Sequence, residues 1–489
     1  MDAAAACSAL TKHYRDLARL KSSAHLLEWD QRVCMPAAGG DWRGEQLAAL
    51  TGIIHEHGSD PRIGDWLAIC EAAGWHAEDT PTAATLRRLR RDHRQTTAVP
   101  GDLAVALTRA SSDAFGAWVT AREQDDFPAF RPHLERVLGL LRERAQHLGT
   151  HPDPYDTCFD EYEEGMTAAA FQELMEPVVP DLRDIVQRRA ATAATGLGPG
   201  PFAAREQEAL NWRLIQAMGF DPGRGRLDPT VHPFCTNLGP GDVRLTSIYA
   251  EHDALDSLSG TIHEMGHGLY EQGLPQEEFG LPLGSSVSLG IHESQSRLWE
   301  NHVGRSAAFG AWALPHMQAA YGDRLERIGP EAFHRHQCRV TPGFIRVEAD
   351  EACYDLHIWL RFRLERDLMR GDLAVADLPA AWNAGFQELF GLAVPDDRRG
   401  CLQDVHWSYA IGYFPTYTLG NCYAAQFMAS IRRDLPDLDE RHAAGDFAPL
   451  LDWLRSRIHV HGKRYTPAEL CRRATGTDLD TRHLLEHIR

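Results

Sequence analysis

A helical period recurs along almost the whole chain and constrains the fold more than any other feature. In SALTKHYRDLARLKSSAHLLEW, Leu10, Tyr14, Leu17, Leu20, His25 and Leu27 fall near one stripe, the three-to-four-residue spacing of an amphipathic helix. The spacing returns in FRPHLERVLGLLRERAQHL and in AAFQELMEPVVPDLRDIVQRRA. Leu, Ala, Arg and Glu dominate these segments, and all four favour helix. Prolines and glycines punctuate them at HPDPYD, GLGPGP and HPFCTNLGPGD. A chain patterned in this way folds mainly as packed helices. One exception is VRLTSIYAEH (243–252), whose alternation reads as a short strand and predicts a small sheet edge beside the motif that follows it. Residues 191–201, ATAATGLGPGP, are small and read as a loop or a hinge between lobes.

The 489 residues allow one large domain or two to three smaller ones, and 43% apolar residues suffice for a sizeable core. Fifty Lys and Arg against 69 Asp and Glu leave a formal charge of -19, which repels phosphate backbones and anionic membranes. Nucleic acid and membrane surfaces are therefore not expected partners. No stretch approaches the roughly 18–20 apolar residues of a membrane helix. The start, MDAAAACSALTKHYRDLARLK, turns charged too early for a signal peptide and reads as helix. Ten cysteines lie scattered from Cys7 to Cys471 without a CxxC pair, so a reducing cytoplasm is the simplest expectation.

Chemistry concentrates in DSLSGTIHEMGHGLYEQG. On a helix, His263 and His267 stand one turn apart on one face, so both imidazoles can reach one Zn²⁺. Glu264, beside the first of them, can hold the attacking water and pass its proton to the leaving amine. Ile262, Met265 and Leu269 suit packing on the other sides, and Gly273 suits a terminator. The plainer alternative is a helix with two surface histidines. A third ligand is available in GSSVSLGIHESQSRLWENHVGRS, where Ser285 or Ser286 can cap a helix running to about His302. Glu293 and Glu300 lie two turns apart on that helix. Glu293 follows His263 by 30 residues, enough for one helix to end and a second to return. It is either the third ligand or an ordinary surface carboxylate. His292 points about 100° away and reads as a supporting or structural group.

HEMGHGLYEQG and LGIHESQSRLWEN resemble the thermostable carboxypeptidase, or carboxypeptidase Taq, family of metallopeptidases. GDVRLT matches its DxRxT motif at Asp242, Arg244 and Thr246. FIRVEAD matches IRxxAD at Ile345, Arg346, Ala349 and Asp350. GCLQDVHW matches GxxQDxHW at Gly400, Gln403, Asp404, His406 and Trp407. The resemblance runs from LLEWDQ to IHVHGKRYTPAEL, with Val33 standing where the family usually has threonine.

The resemblance implies a mainly α molecule with a deep groove and the metal at its floor, and a small β-sheet beside it. It implies one catalytic domain over 1–489, with about 1–230 forming one groove wall and about 231–489 carrying the metal site. It also implies a broad-specificity metallocarboxypeptidase, often a homodimer, acting on peptides with a free C-terminus. Its ligands are His263, His267 and Glu293, its base is Glu264, and its metal is zinc, with cobalt possible. An arginine fork suits a terminal carboxylate. Arg346 is the first candidate and Arg244 the second; each could instead serve a structural ion pair, for instance with Asp350 or Asp242. His406 is the leading donor to the developing oxyanion, with Tyr417 or Tyr413 as the second, or these tyrosines are groove wall. Gln403 and Asp404 can orient neighbours. FHRHQC, with His334, His336 and Cys338, reads as a solvated face, and IHVHGKRY reads as structural rather than a second metal site. Tryptophans are expected in the core and lining the groove. Two other outcomes remain: an endo-oligopeptidase or dipeptidyl carboxypeptidase with the same metal chemistry, and a helical peptide-binding protein without catalysis.

Overall fold

The computed structural model describes residues 1–77, 79–190 and 200–489, so the expected loop or hinge at 191–201 lies almost wholly outside the described residues. The first helix, Ala3–Val33, begins at Asp2, whose carboxylate accepts from the Ala5 amide at 2.8 Å. Leu10 and Leu17 are buried as expected, joined by Ala6, His13, Ala24 and Trp29. His25 is exposed instead: seven residues on from Leu17 the buried face falls on Ala24, and the next residue rotates out. FRPHLERVLGLLRERAQHL lies in the helix Phe127–Leu148. AAFQELMEPVVPDLRDIVQRRA divides into Ala168–Met175 and Val179–Ala190, because Pro177 offers no amide and crowds the preceding turn.

Three strands, β1 (Gly225–Pro229), β2 (Cys235–Gly239) and β3 (Asp242–Ser247), form a sheet in the order β1-β3-β2. β3 pairs parallel with β1 and antiparallel with β2. The expected strand at 243–252 is thus real but shorter, and it is the central strand. The chain leaves the sheet after Ser247 because it must turn into the next helix at Ala254. Val243 and Leu245 are buried, and β3 packs on that helix.

The helix Ala254–Gly273 carries the HExxH motif. Asp253 caps it, accepting from the amides of Leu255 and Asp256 at 2.9 and 3.3 Å. Gly273 is its last residue, and a Cβ there would collide with the His459 ring at 2.2 Å. The following helix starts later than expected. Ser288, not Ser285 or Ser286, accepts from the Ile291 amide at 3.0 Å, and the helix runs Leu289–Arg297. It then widens into a π-helical turn over Leu298–Val303.

Backbone proximity holds this second helix against its neighbours. A Cβ at Gly266 would meet Gln295 O and Ser296 Cα, each at 2.6 Å. On the other side lies the helix Pro415–Asp434, where a Cβ at Gly420 would meet Glu293 Cγ at 2.5 Å. Only glycine allows both approaches, so the Leu289–Arg297 helix is clamped between two others.

The main core is continuous from Ala110 to Ile488, and a smaller cluster of Ala6, Leu10, Ile63, Leu67, Cys70, Leu86 and Leu89 joins the first helices. Trp299, Trp382 and Trp407 are fully buried in the core, whereas Trp42 is 67% exposed. FHRHQC is not the solvated face expected of it. His336 is buried and His334 Nδ1 lies 3.0 Å from Arg305 O, because the segment packs under the Gly304–Arg305 turn. Among the described residues no helix is long and apolar enough to cross a membrane.

Gly266→Ala is expected to destabilise the protein by about 1–3 kcal/mol through overpacking and to weaken metal uptake by displacing Glu293. Thermal melting and the stoichiometry of bound divalent metal check this, and a variant with wild-type values in both would refute the clamp.

Candidate metal centre

The two helices bring His263, His267 and Glu293 together, with donor atoms all within 4.8 Å of one another. Glu293 Oε2 lies 3.7 Å from His263 Nε2 and 3.4 Å from His267 Nε2. Tetrahedral donors around zinc are separated by roughly 3.3–3.5 Å, so the two carboxylate–imidazole separations suit a small divalent cation. Both ring Nδ1 atoms have protein partners. His263 Nδ1 lies 2.8 Å from Glu300 Oε2, and His267 Nδ1 lies 2.5 Å from His292 Nδ1. The free nitrogens are therefore the two Nε2 atoms facing Glu293. Arg297 Nε donates to Glu293 Oε1 at 2.7 Å, and Oε2, which also accepts from Ser296 Oγ at 3.1 Å, is the oxygen that faces the two imidazoles. Among the described residues this is the one group of three such side chains so arranged. The His459 segment, by contrast, is structural: His459 Nε2 lies 2.9 Å from Gln295 Oε1 and its ring packs on Tyr270.

The electrostatics suit a cation. Burial disfavours a charged carboxylate at Glu293, but Arg297 and the two histidines hold it well below the usual range. Glu300 is likewise held low by Arg297 and His263 against its burial. Burial opposes a charge on His263, yet Glu293 and Glu300 outweigh it and raise its pKa to about 8; burial prevails at His267 and lowers it to about 4. Burial pushes Glu264, 7% exposed, up to about 7.

A second cluster stands near the triad. His406 Nε2 lies 3.4 Å from the Tyr417 hydroxyl, and its ring centroid is 5.3 Å from that of Tyr413. Tyr413, Tyr417 and Tyr354 all feel the Glu293 charge. Beneath them Arg346 donates from Nε and Nη2 to Asp404 Oδ1, at 3.1 and 2.8 Å, and from Nη1 to the Tyr354 hydroxyl at 2.8 Å. Its ion-pair partner is Asp404 rather than Asp350, which caps the helix Glu351–Arg370 through the Cys353 amide. Arg361 Nε donates to Asp404 Oδ2 at 2.7 Å, and Gln403 Oε1 accepts from Arg361 and from the Arg346 amide. Arg244 stands apart from this cluster. It is paired in bidentate fashion with Asp242 at 2.9 Å and lies over the Trp29 ring at 4.2 Å.

Comparison with known proteins decides what this arrangement belongs to. Residues 9–489 match the family described as carboxypeptidase Taq (M32) metallopeptidase. The chain belongs to the carboxypeptidase Taq family. It is 42% identical to thermostable carboxypeptidase 1 of Thermus thermophilus, over 99% of this chain and 98% of that one. It is 34% identical to carboxypeptidase 1 of Bacillus subtilis, over 95% and 93% of the two chains. The crystal structure of an M32 carboxypeptidase from Deinococcus radiodurans R1 superposes with a TM-score of 0.94 at 38% identity, covering 99% of this chain and 98% of that chain. The mainly helical fold with its small sheet, peptidase chemistry and a divalent-metal site follow from this membership.

Several residues of this carboxypeptidase Taq site escaped the sequence reading. Arg297 stands one turn after Glu293, a spacing that could have signalled its ion pair. Glu300 was legible as a carboxylate on the same face, but not as the partner of His263. Glu271, Tyr354, Arg361 and Glu365 carried no signal, because their partners lie far away in sequence. Glu365 is wholly buried and accepts from Trp407 Nε1, the Gly412 amide and the Tyr155 hydroxyl at 3.0, 3.2 and 3.4 Å, so it anchors the loop bearing His406.

Burial pushes Glu365 from the ordinary 4.5 up to about 8 despite those bonds. Below pH 4.5 both folded and unfolded chains hold the proton. Between about 4.5 and 8 the unfolded chain releases it first, so this group's contribution to stability falls as pH rises. Glu365→Gln is expected to flatten the melting temperature across pH 5–8 relative to wild type, at some cost in absolute stability. An unchanged slope in a pH series of thermal melts would sink the assignment.

Proposed function

We propose that this protein releases single residues from the free C-termini of peptides with broad specificity, using zinc held by His263, His267 and Glu293. Cobalt suits the same donor set. One observation carries the reading: the three donors converge beside Glu264 in a chain that belongs to a metallocarboxypeptidase family. When bound at His263, His267 and Glu293, the metal would supply Lewis acidity, acidifying water and polarising the scissile carbonyl. Glu264 takes the proton of the attacking water and returns it to the leaving amine. Its burial keeps its basicity near neutral, where such a shuttle works best. His406 and Tyr417, with Tyr413 beside them, donate to the oxygen on which charge develops.

Arg346 anchors the substrate carboxylate in this reading, and Arg244 is the alternative. Arg346 gives Nε and Nη2 to Asp404 and Nη1 to Tyr354, and Arg244 gives Nε and Nη2 to Asp242; these bonds hold each guanidinium in place, and of the five N–H groups two on Arg346 and three on Arg244 are left to offer. The whole chain acts as one catalytic domain, with about 1–230 as a groove wall and about 231–489 carrying the metal site; a main core running from Ala110 to Ile488 joins the two parts, and the first helices add a smaller cluster of their own. A cytoplasmic homodimer is the working particle, and ten unpaired cysteines suit a reducing compartment.

Glu264→Gln is expected to keep one zinc per chain while losing at least about 10²-fold in kcat; a near-normal rate would remove Glu264 from the chemistry. A peptide and its C-terminal amide, followed by mass spectrometry with zinc and with a chelator, test the rest. The expected result is a ladder of single-residue losses from the free acid, slowed by the amide and stopped by chelation. Arg346→Ala is expected to erase the preference for the acid, raising KM by about 10–100-fold. Internal cuts or dipeptide release at equal rates from both peptides would keep the metal chemistry and overturn the carboxypeptidase reading. An intact acid preference in the variant would pass the anchor to Arg244.

A further inference from the structure

The two imidazoles of the metal triangle are supported differently. His263 meets a carboxylate directly, Glu300 Oε2 at 2.8 Å. His267 meets a second imidazole, with Nδ1 facing His292 Nδ1 at 2.5 Å. Two ring nitrogens in contact share one proton, so one of them must donate and the other accept. The far side of His292 decides which. His292 Nε2 lies 2.8 Å from Glu271 Oε1, and a carboxylate only accepts, so the His292 proton sits on Nε2. In a neutral ring His292 Nδ1 is then bare, and the proton in the shared contact belongs to His267 Nδ1. That leaves His267 Nε2 unprotonated and turned toward Glu293 Oε2, 3.4 Å away.

Glu271 is held in turn. Its Oε2 accepts from Asn237 Nδ2 at 2.7 Å. The Asn237 amide cannot rotate without loss, because its Oδ1 accepts from the Gly239 amide at 2.8 Å. Strand β2 is tied to the first helix, where Ser22 Oγ donates to Leu238 O. Every donor in the row Asn237, Glu271, His292, His267 therefore has a fixed direction. The His292 and Tyr270 rings also pack at 5.3 Å, which restrains rotation of the bridging imidazole.

We propose that His292, held by Glu271 and Asn237, is a positioning residue that fixes the tautomer and ring angle of His267 and thereby sets metal affinity. This rests on the metal reading given under Proposed function. His292 is not one of the three converging donors; it acts through His267. Outer partners of this kind typically govern metal affinity by about 10–100-fold.

The test measures zinc binding to the metal-stripped full chain by competition with a chromogenic chelator, beside thermal melting of the metal-free forms. His292→Phe keeps a ring of similar size and loses both hydrogen bonds; its zinc Kd is expected to rise by about 10–100-fold. His292→Gln can accept from His267 through Oε1 and donate to Glu271 through Nε2, so it is expected to recover most of that loss. A His292→Phe protein that melts like wild type when metal-free and binds zinc equally well would overturn the proposal. A glutamine variant as weak as the phenylalanine one would also overturn it. Should His292→Phe fail to fold, Glu271→Gln leaves the imidazole in place and is expected to weaken zinc several-fold; an unchanged Kd there overturns the proposal too. Failure of the metal reading itself would look different: the wild-type chain would take up no stoichiometric zinc at all.

Discussion

For a carboxylate on one helix to meet two imidazoles on another, the helix backbones must come closer than ordinary side chains permit. Helices normally pack about 8–10 Å apart because side chains separate them. Gly266 sits between the two motif histidines, at the point where the Leu289–Arg297 helix crosses, and Gly420 provides the same allowance on the opposite side. The site depends on that clamp. Glu293 is short enough to reach His263 Nε2 and His267 Nε2 together only because the backbone at Gln295 and Ser296 rests against Gly266. The remaining support follows from this crossing: the π-helical turn after Arg297 carries Glu300 to His263, and the other end of the helix presents His292 to His267.

Bringing so many ionisable groups together under protein creates a second constraint. A buried charge is tolerated only when it is paired and hydrogen-bonded. Each buried arginine near the site has a carboxylate: Arg297 has Glu293 and Glu300, and Arg346 and Arg361 share Asp404. Glu163 and Glu365 follow another solution. They have no ion-pair partner of this sort, accept only neutral donors, and are pushed up to about 7 and about 8 by burial. Glu163 accepts from the Gly290 amide at the start of the Leu289–Arg297 helix, and Glu365 holds the His406 loop. Both carboxyl groups therefore sit where a segment bearing a site residue must be fixed in place.

What could be read from sequence divides along the distance over which each signal acts. The helical period and the HExxH pair are local, so the fold class and the two histidines were legible at once. Glu293 was legible as a candidate, and the family resemblance, not the spacing, singled it out. The short strand was placed correctly near Val243, but its position in the centre of the sheet depends on β1 and β2, which had no comparable alternation. The cap at Ser288 was missed in favour of Ser285 or Ser286, because three nearby serines have equal capping propensity and only packing against Glu163 and Gly266 selects among them. His336 reads as solvent-facing from sequence because its own helix cannot show the turn at Gly304 that covers it. Partners such as Asp404 for Arg346 lie 58 residues away, beyond any periodic pattern.

Distance along the chain also explains why motifs so far apart belong to one site. Arg297, which holds the Glu293 carboxylate, lies over the Tyr354 ring at 4.4 Å. The hydroxyl of the same tyrosine accepts from Arg346, and Arg346 shares Asp404 with Arg361. Asp404 is two residues from His406 in the same loop. A continuous series of contacts thus joins Glu293 of the second motif to Arg346 of IRxxAD and to Gln403, Asp404 and His406 of GxxQDxHW. Apart from the step from Asp404 to His406, which runs through the loop backbone, each link is an ion pair, a charge-assisted hydrogen bond or a cation over a ring, and nearly all of it is excluded from water, where such contacts are strongest. His406 on one segment keeps its distance from Glu293 on another only if the intervening groups cannot rearrange cheaply. Paired, desolvated arginines meet that condition: moving any one of them strands a buried charge, and that penalty holds the geometry.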